Sequence, residues 1–303
     1  MDYDVIIVGG GPAGLTAAIY CVRRKLRTVV VERMALGGQM RTAYEICNWP
    51  GVKSASGQEL SDMMGEHAKS LGVEFIFDEA VSLKMKGKVK ELHLSDRKIT
   101  STAVILATGG HHRRLNAKGE KEYMGRGVSY CATCDGPFFK GKVVAVVGGG
   151  NSAADDALYL STVASKVYLI HRRDSFRCEA RRVDEMKAAG VEFILESHVK
   201  EFLGDGVLEE LVVETNRGLR KVKVDGCFIS VGVDPANSLA KEIGVELDGN
   251  GFVEIDPDMK TNVDGVFAAG DVTGGVMQIP TAVGEGCTAA LKAYEYVKEN
   301  RLE

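Results

Sequence analysis

Apolar residues cluster in short runs along the chain, and segments with helical spacing separate them. The runs within Val5–Val8, Thr28–Glu32, Ile105–Thr108, Val144–Val147, Val167–Ile170 and Val266–Ala268 are rich in Val and Ile and lack strict alternation. Such continuous apolar runs are expected of parallel strands buried on both faces. Residues 12–24, 57–70, 151–162 and 279–297 read as helices. Alternating runs at 73–77, 81–85, 89–94, 191–195, 207–214 and 219–224 read as strands of smaller antiparallel layers. The order strand, helix, strand predicts an α/β fold with doubly wound parallel sheets.

Part of this pattern occurs twice. Val5-Ile-Ile-Val-Gly-Gly-Gly-Pro-Ala-Gly14 returns without a gap 139 residues later as Val144-Ala-Val-Val-Gly-Gly-Gly-Asn-Ser-Ala153. In a dinucleotide-binding unit the first glycine allows the tight turn, and the second lets the backbone approach a pyrophosphate. The third position must be small so that helix packs on strand. Here these are Gly9, Gly11 and Gly14, then Gly148, Gly150 and Ala153, and the pyrophosphate meets the unpaired N–H groups of the following helix.

The two second strands end differently. Glu32 closes the first, and its carboxylate suits a ribose diol while repelling a 2′-phosphate. His171 closes the second and opens a basic cluster with Arg172, Arg173 and Arg177, which suits a 2′-phosphate. The first copy is expected to hold FAD or NAD, and the second NADP.

Cys131-Ala-Thr-Cys134-Asp135 adds redox chemistry. Cysteines at this spacing can close a small reactive disulfide. A zinc half-site and two inert thiols are the alternatives. The other five cysteines are scattered singly, which disfavours zinc. Asp135 is a candidate proton donor to a leaving thiolate if burial raises its pKa, and it could equally cap a helix. Asp271, at the end of Val266-Phe-Ala-Ala-Gly-Asp271, is placed to bind a flavin ribityl hydroxyl. Pro280 sits in the first turn of the last helix, where its missing N–H costs nothing.

Composition narrows the classes. A net charge of −4 over 303 residues gives no global field for nucleic acid or a membrane surface. No apolar stretch reaches the roughly 18 residues that span a bilayer. Residues 1–10 run directly into a strand, so no signal peptide is expected. Seven cysteines, an odd number, fit a reducing cytoplasm with one working pair. The polar stretches Gly109–Asn116 and Gly232–Asn237 bracket the second dinucleotide unit and read as paired hinges of an inserted domain. The expected division is 1–113 and 242–303 for the first dinucleotide, FAD or NAD, and 114–241 for NADP together with the cysteine pair. The cysteines and the NADP site then ride on one domain.

Taken together, Gly37-Gly-Gln39, Asn48-Trp-Pro-Gly51, Ala107-Thr-Gly109, Cys131-Ala-Thr-Cys134-Asp135, Gly148-Gly-Gly-Asn-Ser152, His171-Arg-Arg-Asp-Ser-Phe-Arg177 and Ala269-Gly-Asp271 resemble the low-molecular-weight thioredoxin reductases. The resemblance runs from residue 1 to about residue 297. It implies two Rossmann-like domains, a cytoplasmic homodimer, non-covalent FAD, and a Cys131–Cys134 disulfide reduced by NADPH through the flavin. A thioredoxin or glutaredoxin-like protein would be the acceptor, with no part for nucleic acid or membrane. The implied FAD residues are Gly9, Gly11, Pro12, Ala13, Gly14, Glu32, Gly38, Gln39, Asn48, Thr108, Asp271, Gln278 and Ile279. Those for NADPH are Gly148, Gly150, Asn151, Ser152, Ala153, His171, Arg172, Arg173 and Arg177. Cys131, Cys134 and Asp135 carry the catalysis. Arg126, Phe138 and Phe139 flank the pair and are nominated as the partner surface.

Three positions depart from the family pattern. Cys47 stands where a glutamate is common, Met277 where an arginine is usual, and Pro137 where an aromatic follows Cys-Asp-Gly. The missing arginine makes a deazaflavin-dependent thioredoxin reductase conceivable, and a flavin-dependent dithiol oxidase shares the fold. A nucleotide-sensing regulator without catalysis is disfavoured by the cysteine pair.

Overall fold

The computed structural model describes residues 1–43 and 45–300, so residues 301–303 of the expected final segment lie outside the described residues. The chain forms two compact units, Met1–His111 with Asp234–Glu303, and His112–Val233 inserted between them.

The first unit begins with β1 (Tyr3–Val8), α1 (Pro12–Arg23), β2 (Thr28–Glu32), α2 (Gly57–Ser70) and β3 (Glu74–Phe77). β4 (Ser82–Lys86), β5 (Val89–His93) and the long β6 (Lys98–Leu106) follow, and β7 (Gly110–His112) lies where the chain leaves. In β1 alternate residues serve opposite cores. Val5 and Ile7 join the cluster containing Leu15, Ala17 and Ala18, and Ile6 and Val8 join the one containing Leu92 and Leu106. Burial on both faces is why the run lacks alternation.

The inserted unit holds β8 (Val128–Ser129), α3 (Ala132–Asp135), β9 (Val143–Gly148), α4 (Asn151–Ser161), β10 (Lys166–Ile170), α5 (Ala180–Ala188) and β11 (Glu192–Ile194). β12 (His198–Leu203), β13 (Glu210–Thr215), β14 (Gly218–Lys223) and β15 (Gly226–Ser230) complete it, and β16 (Val233–Pro235) lies at the return. Its parallel sheet runs β11-β10-β9-β15-β8, and β12, β13 and β14 form a separate antiparallel layer. β9 repeats the logic of β1, with Val144 and Val146 on one core and Ala145 and Val147 on the other.

The first unit resumes with α6 (Ser238–Glu242), β17 (Val266–Ala268) and α7 (Ile279–Asn300). Leu239 and Ala240 bury beside Leu83 and Val253, so the stretch 234–241 belongs to this unit rather than to the insert. The sheet of this unit has seven strands in the order β3-β2-β1-β6-β5-β4, with β17 paired to β6 in parallel. Ala289, Ala290 and Ala293 of α7 share a core with Ala13, Ala17 and Ala18 of α1.

Two of the expected antiparallel strands are parallel. β3 pairs in parallel with β2, and β11 with β10, each at the edge of its main sheet. Both strands are only partly covered, with Ile76 and Ile194 buried and Glu74 and Glu192 exposed, so they alternate like strands of an antiparallel layer. β4 and β5 are antiparallel but extend the main sheet through β6.

Candidate active site

In the first unit the turn after β1 is shaped from inside and left open outside. A Cβ on Gly9 would lie 2.2 Å from the Ala107 carbonyl oxygen, and one on Gly14 would lie 1.9 Å from the Gly9 oxygen. Gly9 also sits at φ +108°, which favours glycine. Gly11 is different. Its backbone is extended, and a Cβ there would meet only Gly38 Cα at 3.9 Å. Nothing internal demands a glycine at Gly11, so the demand fits a ligand that approaches the backbone. Pro12 and Ala13 open α1, whose N-cap Gly11 supplies no side-chain cap. Glu32 accepts from Gly10 N at 2.8 Å and Met34 N at 2.9 Å, which fixes its carboxylate beside the turn.

Residues distant in sequence converge in the same unit. Gln39 Nε2 donates to Asp271 Oδ2 at 3.3 Å, and Asn48 Nδ2 donates to Gln278 Oε1 at 3.3 Å. Gly38, at φ +55°, would place a Cβ 3.2 Å from Gly11 Cα. Thr108 donates to the Ala236 carbonyl at 2.7 Å, and Ile279 begins α7. Burial pushes the Asp271 carboxyl above the usual range. The bonds Gln39–Asp271 and Asn48–Gln278 join segments far apart in the chain, a convergence that no local motif displays.

In the inserted unit Cys131 and Cys134 form a disulfide, with S–S 2.07 Å. Cys131 caps the short α3, and Cys134 N donates to Cys131 Sγ at 3.2 Å. Ser129 Oγ accepts the Cys131 N–H at 3.0 Å, bracing the entry to the pair. Asp135 is half-buried, ends α3 and stands at the N-cap position of the 3-10 turn Gly136–Phe139 without a side-chain cap bond. Desolvation raises its pKa, while a hydrogen bond from Ser129 pulls it down. No cluster of three or more metal-ligating side chains occurs among the described residues.

The second turn mirrors the first. A Cβ on Gly148 would lie 2.3 Å from the Ser230 oxygen and 2.5 Å from Ala153 Cβ, whereas Gly150 has nothing within 4 Å. Gly150 caps α4 without a side-chain bond, and Asn151 Oδ1 accepts Glu179 N at 3.2 Å. Asn151 and Ser152 are exposed at the helix start.

His171 departs from the expected basic cluster. It is 5% exposed, stacks on Phe176 at 5.4 Å, and leaves Nε2 buried without a hydrogen-bond partner. Burial lowers its pKa, and Arg172, Arg173 and Arg177 lower it further. His171 therefore supports the turn by packing beneath it, where a Cβ at Gly149 would lie in the space its ring fills. The charge rests on the exposed Arg172, Arg173 and Arg177, and Arg177 N donates to Gly149 O at 2.7 Å.

The nominated partner surface also divides. Arg126 is exposed and Phe138 is 44% exposed, but Phe139 packs edge-on against Phe228 with centroids 5.3 Å apart. Cys47, Pro137 and Cys134 are exposed, exposed and half-buried respectively.

Comparison with known proteins agrees with this geometry. Residues 3–286 match the pyridine nucleotide-disulphide oxidoreductase family. The thioredoxin reductase of Listeria monocytogenes is 43% identical over 302 residues, covering 98% of this chain and 94% of that protein. That of Bacillus subtilis is 41% identical over 305 residues, covering 98% and 95%. The crystal structure of thioredoxin reductase from Streptococcus pyogenes superposes with a TM-score of 0.94 at 38% identity, over 98% of both chains. With a dinucleotide turn in each unit and a disulfide in the inserted one, the chain belongs to the pyridine nucleotide-disulphide oxidoreductases, among the low-molecular-weight thioredoxin reductases.

Proposed function

We propose that this protein reduces the disulfide of a thioredoxin-like protein with electrons from NADPH, relayed through FAD and Cys131–Cys134. The observation that carries the reading is the disulfide itself, held at the head of α3 beside a half-buried carboxyl whose pKa burial raises. The open face of Gly11, the fixed Glu32 and the Gln39–Asp271 pair fit FAD in the first unit. Open Gly150 and the three exposed arginines fit NADPH in the second.

When bound, FAD supplies a two-electron relay between nicotinamide and disulfide. The chain's own residues do the rest. Glu32 accepts from ribose hydroxyls, and the N–H groups opening α1 and α4 face the two pyrophosphates. Asp271 orients the ribityl chain, and Arg172, Arg173 and Arg177 hold the 2′-phosphate. Two electrons and two protons convert the Cys131–Cys134 disulfide to a dithiol, and Asp135 gives one of those protons to the departing thiolate. One cysteine thiolate then attacks the partner disulfide and expels a partner thiolate. The other cysteine resolves the mixed disulfide, which frees the reduced partner and restores Cys131–Cys134.

Exposed Arg126 and Phe138 suit the partner contact, with Phe139 holding the segment from within. A cytoplasmic homodimer belongs to the same reading. No helix among the described residues is long and apolar enough to cross a membrane.

Anaerobic titration of the yellow protein, followed by flavin absorbance, tests the proposal. Stoichiometric bleaching by NADPH at far lower concentration than NADH supports it. Bleaching by neither rejects NADPH and turns the reading to a deazaflavin donor or a dithiol oxidase.

A further inference from the structure

Glu285 has no part in the chemistry above, yet it makes the shortest contact at the turn that presents Asp271. The chain leaves β17 through Ala269 and Gly270, and Gly270 N donates to Glu285 Oε2 at 2.6 Å. Thr273 Oγ1 reaches the same oxygen at 3.3 Å and also binds the Gly270 carbonyl at 2.8 Å. Glu285 therefore closes the turn from α7, across 15 residues of chain.

The helix that carries Glu285 is seated with little freedom. A Cβ on the next residue, Gly286, would lie 2.2 Å from the Ala13 oxygen in the first turn of α1. Gly270, at φ +81°, would place a Cβ 3.0 Å from Ala13 Cβ. One turn of α7 thus touches both the helix that follows Gly9–Gly11 and the loop that ends in Asp271. Glu285 is half-buried and close enough to Asp271 for the two charges to repel, and no cation contributes to its environment. A carboxylate kept half-buried without a cation is costly, and the N–H it accepts at Gly270 is the compensation.

We infer that Glu285 is a positioning residue of the FAD site. It acts through the Gly270 N–H to hold the turn that aims Asp271 at the cofactor. This inference rests on the FAD reading above. It predicts that reach and acceptor capacity matter at this position, whereas negative charge does not.

Two variants of the holoenzyme separate these properties. E285Q keeps the length and an acceptor oxygen but loses the charge, and E285D keeps the charge but falls one methylene short. The readouts are the dissociation constant for FAD, from flavin fluorescence on dilution, and the circular dichroism of the visible flavin bands. E285D is expected to weaken FAD binding roughly 10- to 100-fold, the scale of a buried N–H left without its acceptor, and to alter the flavin bands. E285Q is expected to stay within about threefold of the wild type with unchanged bands. An E285D variant that holds FAD like the wild type overturns the inference, and so does an E285Q variant that loosens FAD as much as E285D. A wild-type protein that takes up no FAD overturns the cofactor reading, and this inference with it.

Discussion

His171 lies directly beneath Gly149. A Cβ at Gly149 would sit 2.1 Å from Cε1 and 2.3 Å from Nδ1 of the imidazole. The last residue before the arginines is thus a packing partner of the second dinucleotide turn, with its ring stacked on Phe176.

Gly149→Ala is therefore expected to displace the ring and destabilise the protein by about 1–3 kcal/mol, as overpacking generally does. Gly149→Ala combined with His171→Ala should be less destabilised than the sum of the two single changes, because the second removes the clash. Urea unfolding of the four proteins measures this coupling.

On the proposed reading the exposed arginines carry nucleotide choice. Arg177→Ala is expected to raise the KM for NADPH roughly 10- to 100-fold, the scale of a hydrogen bond to a charged group, and to leave the KM for NADH nearly unchanged. Steady-state kinetics with both nucleotides checks this. An equal loss for the two would show that the Arg177 guanidinium does not read the 2′-phosphate.

Asp135 yields opposite effects on activity and stability. Burial raises its pKa in the folded protein, so the folded state binds its proton more tightly than the unfolded chain does. Its contribution to stability is thus favourable at low pH and is lost as pH rises from the unfolded value through the raised folded one. Asp135→Asn should stabilise the protein at neutral pH, slow turnover roughly 100- to 10,000-fold, and remove the alkaline limb that Asp135 sets on kcat. Thermal unfolding and pH–rate profiles of the two proteins check each part.

Cys131, Cys134 and the three arginines all lie within His112–Val233. If the pair and the nicotinamide use one flavin face in turn, covalently fixing the two units should block turnover while sparing one half-reaction. Stopped-flow measurement of flavin reduction and reoxidation in the fixed protein distinguishes this from unimpaired cycling.

Chemistry carried by contiguous residues was legible in the sequence. Gly9–Gly14 and Gly148–Ala153 each place turn and helix start within a few positions, Cys131–Asp135 places the disulfide at a helix start, and local sterics determine the outcome. Relations across the chain were not. The Gln39–Asp271 and Asn48–Gln278 bonds span 232 and 230 residues, and Glu285 carries no mark that points to Gly270. His171 read as a cation because residue type shows charge but not burial. β3 and β11 read as antiparallel because alternation reports which face is wet, not which way the neighbouring strand runs.

The insertion also orders events during synthesis. β6 is complete at Leu106, but the strand that covers its end, β17, begins at Val266, ~160 residues later. At ~5–20 residues per second the ribosome exposes that unfinished sheet for on the order of ten to thirty seconds. The insert emerges whole in the meantime and can fold first. The nascent first half then holds an open edge at the end of β6 until β17 arrives, and an uncovered apolar α1 surface until α7 follows. Thus α7 acts as the closing element of biogenesis, and a chain truncated before it would be an aggregation-prone product.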